Sequence, residues 1–116
     1  MRIFVAGATG VLGRRAVARL VEAGHDVTGV ARNEDKAALV RSLGATPVTV
    51  DLFDPAAVKS AADGHEVVMN LATHIPNLSR AAMPRAWAEN DRIRSEASRN
   101  LVDAALASGA GRFVQE

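Results

Sequence analysis

Three glycines at three-residue spacing, Gly7, Gly10 and Gly13, stand between the apolar run Ile3-Phe4-Val5-Ala6 and an amphipathic stretch that opens at Val11. A strand that passes into a helix through such a loop presents the helix N-terminus at the edge of a sheet. The first N–H groups of a helix have no partner within it and carry a partial positive charge, and glycine lets an anion approach that backbone without a Cβ in the way. Glycine triplets are common in isolation, so the flanks decide their meaning. Residues 1–6 read as a short buried strand, while Val11, Val17, Leu20 and Val21 fall on one helical face with Arg14, Arg15, Arg19 and Glu22 elsewhere. Gly24 stops that helix, and residues 26–30 supply a second strand. The expected guest of the loop is a dinucleotide pyrophosphate.

A chain of 116 residues is one domain's worth, enough for a real core but short for an enzyme that must also enclose a substrate. Its 14 basic and 13 acidic residues give a net charge of +1, with the arginines spread along helices. Neither nucleic acid nor a membrane surface is an expected partner. The absence of cysteine excludes disulfides and thiolate metal sites. The apolar N-terminal run breaks at the glycines, too early for a signal peptide or a membrane span, which makes a cytoplasmic protein the default expectation. There is no tyrosine, and the only lysines are Lys36 and Lys59.

Alternation of strand and helix continues along the chain. Residues 34–43 read as a helix stopped by Gly44, and residues 46–50 as a third strand rich in β-branched side chains. Asp54 as N-cap with Pro55 behind it starts a third helix to about residue 62. Residues 66–71 form a fourth strand, residues 72–83 a long polar loop, residues 84–108 a long helix, and residues 112–116 a fifth strand. Strand-helix-strand units with short connections predict a doubly wound parallel α/β sheet, a Rossmann fold in the order 3-2-1-4-5 with helices on both faces. The glycine loop then sits at the switch point beside strand four.

These residues resemble the short-chain dehydrogenase/reductase superfamily, in its extended and atypical branches of NAD-dependent epimerase/dehydratase type. The resemblance spans the chain. It rests on the loop Gly7-Ala8-Thr9-Gly10-Val11-Leu12-Gly13, the Asp51-Leu52 pair, the strand Val67-Val68-Met69-Asn70-Leu71-Ala72, and Asn100-Leu101-Val102-Asp103-Ala104-Ala105 before Arg112-Phe113-Val114. It implies that Thr9 to Leu12 wrap the pyrophosphate and that Asp51 accepts a hydrogen bond from the adenine amine, with Leu52 supplying a backbone contact or packing. A carboxylate suits that role, since it only accepts and the amine only donates. The alternative for Asp51 is a turn residue or a cap, although Asp54 is the better-placed cap. Leu71 and Ala72 pass along the nicotinamide ribose with Thr73 beside them. His74 faces either a substrate or solvent.

A site for NAD places an acid at the end of strand two for the ribose diol, whereas NADP needs a cation for its 2′-phosphate. Arg32 stands at that place and favours NADP, while Glu34 or Asp35 keeps NAD open. Three departures from the family pattern bear on activity. Arg94 stands where the family has an asparagine of the proton relay, with Asn90 one turn earlier, and Ala97-Ser98 replaces a Gly-Thr pair. The tyrosine and lysine at four-residue spacing that carry out the family's proton transfer are absent. The expectation is therefore a dinucleotide-binding domain over residues 1–116, truncated before the catalytic and substrate-binding part. The whole protein is expected to be an NADP-dependent oxidoreductase, epimerase or dehydratase acting on a small carbonyl or sugar-nucleotide substrate. The alternative is a non-catalytic reader of the NADP pool, and a complete small nucleotide-binding module is a weaker third reading. A homodimer through the 84–108 helix is a further expectation.

Overall fold

Alternation within the first strand explains the layering of the molecule. In β1 (Arg2–Ala6), Ile3 and Val5 face one side of the sheet, Phe4 and Ala6 the other, and all four are buried. A strand apolar on both faces belongs in the centre of a parallel sheet covered on both sides. A computed structural model describes residues 1–72 and 91–116. Its five strands run parallel in the order β3-β2-β1-β4-β5, with β2 (Asp26–Val30), β3 (Thr46–Val48), β4 (Val67–Asn70) and β5 (Arg112–Gln115). Val5 stands beside Gly29 of β2 and Met69 of β4, so the loop leaving β1 rises between two strand ends.

One face packs Ile3, Val5 and Val27 against Val17 of α1 (Val11–Glu22) and Ala37 and Val40 of α2 (Glu34–Ser42). The other packs Phe4, Ala6 and Val68 against Val58 and Ala62 of α3 (Pro55–Ala62) and Leu101 and Ala104 of α4 (Ser98–Ser108). Each fully buried valine or phenylalanine contributes about 1.5–3 kcal/mol from the apolar area it removes from water. This is the doubly wound architecture expected from the sequence.

Several boundaries differ from expectation. β3 ends at Val48, not at residue 50, because its partner β2 ends at Val30 and offers nothing for Val50 to pair with. β1 begins at Arg2, β4 spans Val67–Asn70, and α2 stops at Ser42. Val11 does not lie on the buried face of α1. It is 73% exposed as the first residue of the helix, and the stripe that meets the sheet starts at Gly13 and runs through Val17. Of the expected long helix, residues 91 and 92 are helical and lead into a π turn, Ile93–Ala97, before α4. Residues 84–90 with Trp87 and Asn90, and the loop residues Thr73 and His74, lie outside the described residues. Among the described residues no helix is long and apolar enough to cross a membrane.

Candidate functional site

The three glycines divide their work. Gly7 has φ +79°, and a Cβ there would overlap the backbone of Leu71 and Ala72, so only glycine lets the exit of β4 lie against the loop. Gly13 is buried, and a Cβ on it would fall on the carbonyl oxygen of Gly7, so α1 approaches the loop only without one. Gly10 differs from both. The nearest atom to a Cβ there is Gly7 O at 3.6 Å, and Gly10 lines an open groove. A tight turn, close approach of a ligand and helix-to-strand packing are the three uses of glycine in a dinucleotide loop.

The N-terminus of α1 is left free where those of the next two helices are closed. Asn33 Oδ1 accepts from Lys36 N at 3.0 Å to cap α2, and Asp54 Oδ1 accepts from Ala56 N and Ala57 N at 3.1 and 3.2 Å to cap α3. Gly10, the N-cap of α1, has no side chain to offer, and the first turn carries no acid. Among the described residues no acceptor reaches the N–H groups of Val11, Leu12 and Gly13. Arg14 folds back instead, its Nη2 donating to Thr9 O at 3.1 Å and its Nε to Gly10 O at 3.4 Å. Two loop carbonyls are thereby held by a cation while the N–H groups stay available, an arrangement suited to an anion.

A groove of about 600 Å³ follows the carboxyl ends of the strands. Gly7, Thr9 and Gly10 after β1 line it, as do Arg32 after β2, Asp51 and Leu52 after β3, and Leu71 and Ala72 after β4. Sequence reasoning named all eight. Val11, Leu12 and Gly13 are not among its lining residues, and α1 meets the groove at its N-cap, Gly10. Asp51 Oδ1 accepts from Phe53 N at 2.9 Å, which makes Asp51 a turn residue while leaving Oδ2 for another donor. Asp54 is the cap, as expected.

Lys36 also lines the groove and was missed, although it lies in the first turn of α2, four residues after Arg32. Glu34 and Asp35 do not line it, and Glu34 Oε1 accepts from Arg41 Nη1 at 2.7 Å. Sequence reasoning also missed two buried asparagines that hold the groove's walls. Asn70 is 1% exposed. Its Nδ2 donates to Ser98 Oγ at 3.0 Å and Gln115 Oε1 at 3.1 Å, and its Oδ1 accepts from Ala72 N at 3.1 Å. Asn100 Nδ2 donates to Leu52 O at 2.9 Å. At the Ala97-Ser98 departure, Ala97 is fully buried and the Ser98 hydroxyl serves Asn70, while Arg94 lies within the π turn.

The family model described as NAD(P)H-binding matches residues 7–115. Among curated proteins, a 3-diazoavenalumate denitrifying reductase from a Streptomyces species is 38% identical over 118 residues, covering all of this chain and 37% of the relative. The photosystem II assembly factor Ycf39 of Synechocystis is 30% identical over 114 residues, 98% of this chain and 32% of that protein. The chain thus spans about a third of the length of these relatives. Among solved structures, a short-chain dehydrogenase/reductase superfamily protein from Agrobacterium tumefaciens with bound NAD aligns with a TM-score of 0.77 and 29% identity, covering 99% of this chain and 32% of that one. A UDP-glucose 4-epimerase from Thermotoga maritima shares the fold, with a TM-score of 0.79, 24% identity, and coverage of 99% and 37%.

Proposed function

The chain belongs to the NAD(P)H-binding family, and from that premise we propose that its groove takes NADP in a single orientation. The pyrophosphate lies over Gly10, Thr9 and the free N–H groups of α1. Arg32 and Lys36 take the 2′-phosphate, Asp51 Oδ2 accepts from the adenine amine beside Leu52, and the nicotinamide ribose runs past Leu71 and Ala72. The observation that carries this reading is the uncapped α1 N-terminus opening into a groove that also holds Arg32, Lys36 and Asp51. The residues fit the group, because Gly10 lines the groove without a side chain and only Gly7 O, at 3.6 Å, lies within 4 Å of where its Cβ would stand, which leaves room for an anion. When bound, the nicotinamide supplies the hydride donor or acceptor. The chain's own residues bind and orient it.

The preference for NADP over NAD is supported by two cations at the groove and by the engagement of Glu34 with Arg41. A charge-assisted bond to a phosphate is worth about 1.5–3 kcal/mol, about tenfold or more in affinity. Titration of the chain with NADPH and NADH tests this. NADPH is expected to bind at least about tenfold more tightly, and Arg32→Ala or Lys36→Ala to reduce that preference. Equal affinities would remove the NADP assignment.

The chain is the cofactor-binding part of a longer epimerase- or reductase-like oxidoreductase acting on a small carbonyl or sugar-nucleotide substrate. The relatives' greater length and the reductase among them support that reading. A second reading, a non-catalytic reader of the NADP pool, draws on the assembly factor among the relatives. Under either, residues 1–116 bind a dinucleotide and turn over no carbonyl substrate, and measurable turnover would overturn both. Pairing of two copies through α4 is supported by its exposed Val102 and Leu106, and the mass of the protein in solution tests it.

A further inference from the structure

Aromatic residues are scarce here: three phenylalanines, one tryptophan and no tyrosine in 116 residues. Phe4 is fully buried and Phe113 packs against the same core, whereas Phe53 lines the groove, half-buried in the turn that leaves β3. That turn is held from two directions. Phe53 N donates to Asp51 Oδ1 at 2.9 Å, and Asn100 of α4 grips the neighbouring Leu52 carbonyl at 2.9 Å. Arg92, ahead of the π turn, places its guanidinium carbon 4.0 Å from the centroid of the Phe53 ring, and its Nε donates to Glu96 Oε2 at 3.2 Å. One face of an exposed-turn phenylalanine is thus covered by a cation that is itself anchored by a carboxylate. An aromatic ring fixed in this way beside Asp51 offers a flat, preformed surface at the end of the groove where a hydrogen-bonding base is to be read.

We propose that Phe53 is the aromatic wall on which the purine of the dinucleotide stacks, with Arg92 as the positioning residue that holds the ring. The proposal rests on the reading of the groove as a dinucleotide site. Asp51 then reads the edge of the base and Phe53 its face. A cation on the far side draws electron density from the ring and favours stacking of an electron-rich purine on the near side.

The test compares NADPH and adenosine 2′,5′-bisphosphate with inorganic pyrophosphate, which has no base, on the unaltered chain and on Phe53→Leu, Phe53→Trp and Arg92→Gln. Phe53→Leu is expected to weaken both adenine ligands about tenfold and leave pyrophosphate unchanged, while Phe53→Trp keeps the adenine affinity. Arg92→Gln is expected to weaken the adenine ligands about threefold. Unchanged adenine affinity in Phe53→Leu would overturn the proposal, and so would an equal loss for pyrophosphate, which would mark the ring as structural only. Failure of the unaltered chain to bind any of the three would overturn the dinucleotide reading and this proposal together. Because Phe53 is only half-buried, both of its variants are expected to melt within a few degrees of the unaltered chain.

Discussion

Alanine at Gly13 and alanine at Gly10 should do opposite things, although the two residues belong to one motif. At Gly13 the new Cβ overlaps the Gly7 carbonyl oxygen and stands 2.8 Å from Gly7 C and 3.1 Å from Ala8 C. All three are backbone atoms, so no side-chain rotation relieves the overlap and α1 must shift from the loop. Overpacking of this kind costs about 3 kcal/mol, and the better helix propensity of alanine returns about 1 kcal/mol. With 116 residues and an unfolding entropy of about 2.1 cal/mol/K per residue, the net loss of about 2 kcal/mol lowers Tm by about 8 °C. At Gly10 the backbone, φ −71° and ψ 174°, accepts any residue, and the nearest atom lies at ordinary contact distance. Its replacement changes stability by at most about 1 kcal/mol, or about 4 °C.

Ligand reverses the order of severity. At 100 times its Kd, NADPH stabilises the unaltered chain by about 2.7 kcal/mol, a rise of about 11 °C, and a tenfold weaker site retains only about half of that. Thermal unfolding by circular dichroism, with and without NADPH, reads both effects. Gly13→Ala is expected to melt low. Gly10→Ala is expected to melt normally without ligand and to gain about half the stabilisation or less. A Gly13→Ala protein melting within about 2 °C of the unaltered chain, or a Gly10→Ala protein with the full ligand shift, would refute the division of roles.

Asp54→Ala removes the acceptor for two N–H groups of α3 and should cost about 1 kcal/mol, seen as a Tm lower by about 4 °C. Asn70→Leu leaves the Ala72 amide without its side-chain acceptor and removes the donor to half-buried Ser98 and exposed Gln115, so a loss of about 1–2 kcal/mol is expected, with faster hydrogen exchange at Ala72. Asp26→Asn should change urea unfolding by less than about 0.5 kcal/mol, because the Arg2–Asp26 pair is 3.9 Å apart and exposed on both sides.

What was legible in the sequence is what local chemistry dictates. The two-faced apolar run of β1, the Asp54-Pro55 start of α3 and the glycine loop each carry their cause within a few residues, and the parallel order follows from their alternation. Val11 was misplaced because helical periodicity says which residues share a face, not where along the helix that face meets the sheet. The overlong β3 came from the β-branched Thr49 and Val50, whose pairing was limited by the length of β2. Lys36 reaches the groove only because Asn33 starts α2 beside Arg32's strand end. Asn70 and Asn100 find partners 28 to 48 residues away, and no linear spacing announces that. The π turn likewise has no signal in the sequence, yet it lies between Arg92, which touches Phe53, and Asn100, which holds Leu52.

In the proposed reading one groove, opening on the free end of α1, holds the dinucleotide along its whole length. Backbone amide shifts of the isotopically labelled chain, followed during addition of NADPH, test it most directly. The account predicts saturable changes centred on Thr9 to Gly13, Arg32 to Lys36, Asp51 to Phe53 and Leu71 to Ala72, with β5 and the far end of α3 unmoved. Saturation without changes at Thr9 to Gly13, or changes confined to a second groove that Pro55, Lys59 and Asp63 line with Ala107 and Ser108 of α4, would contradict it.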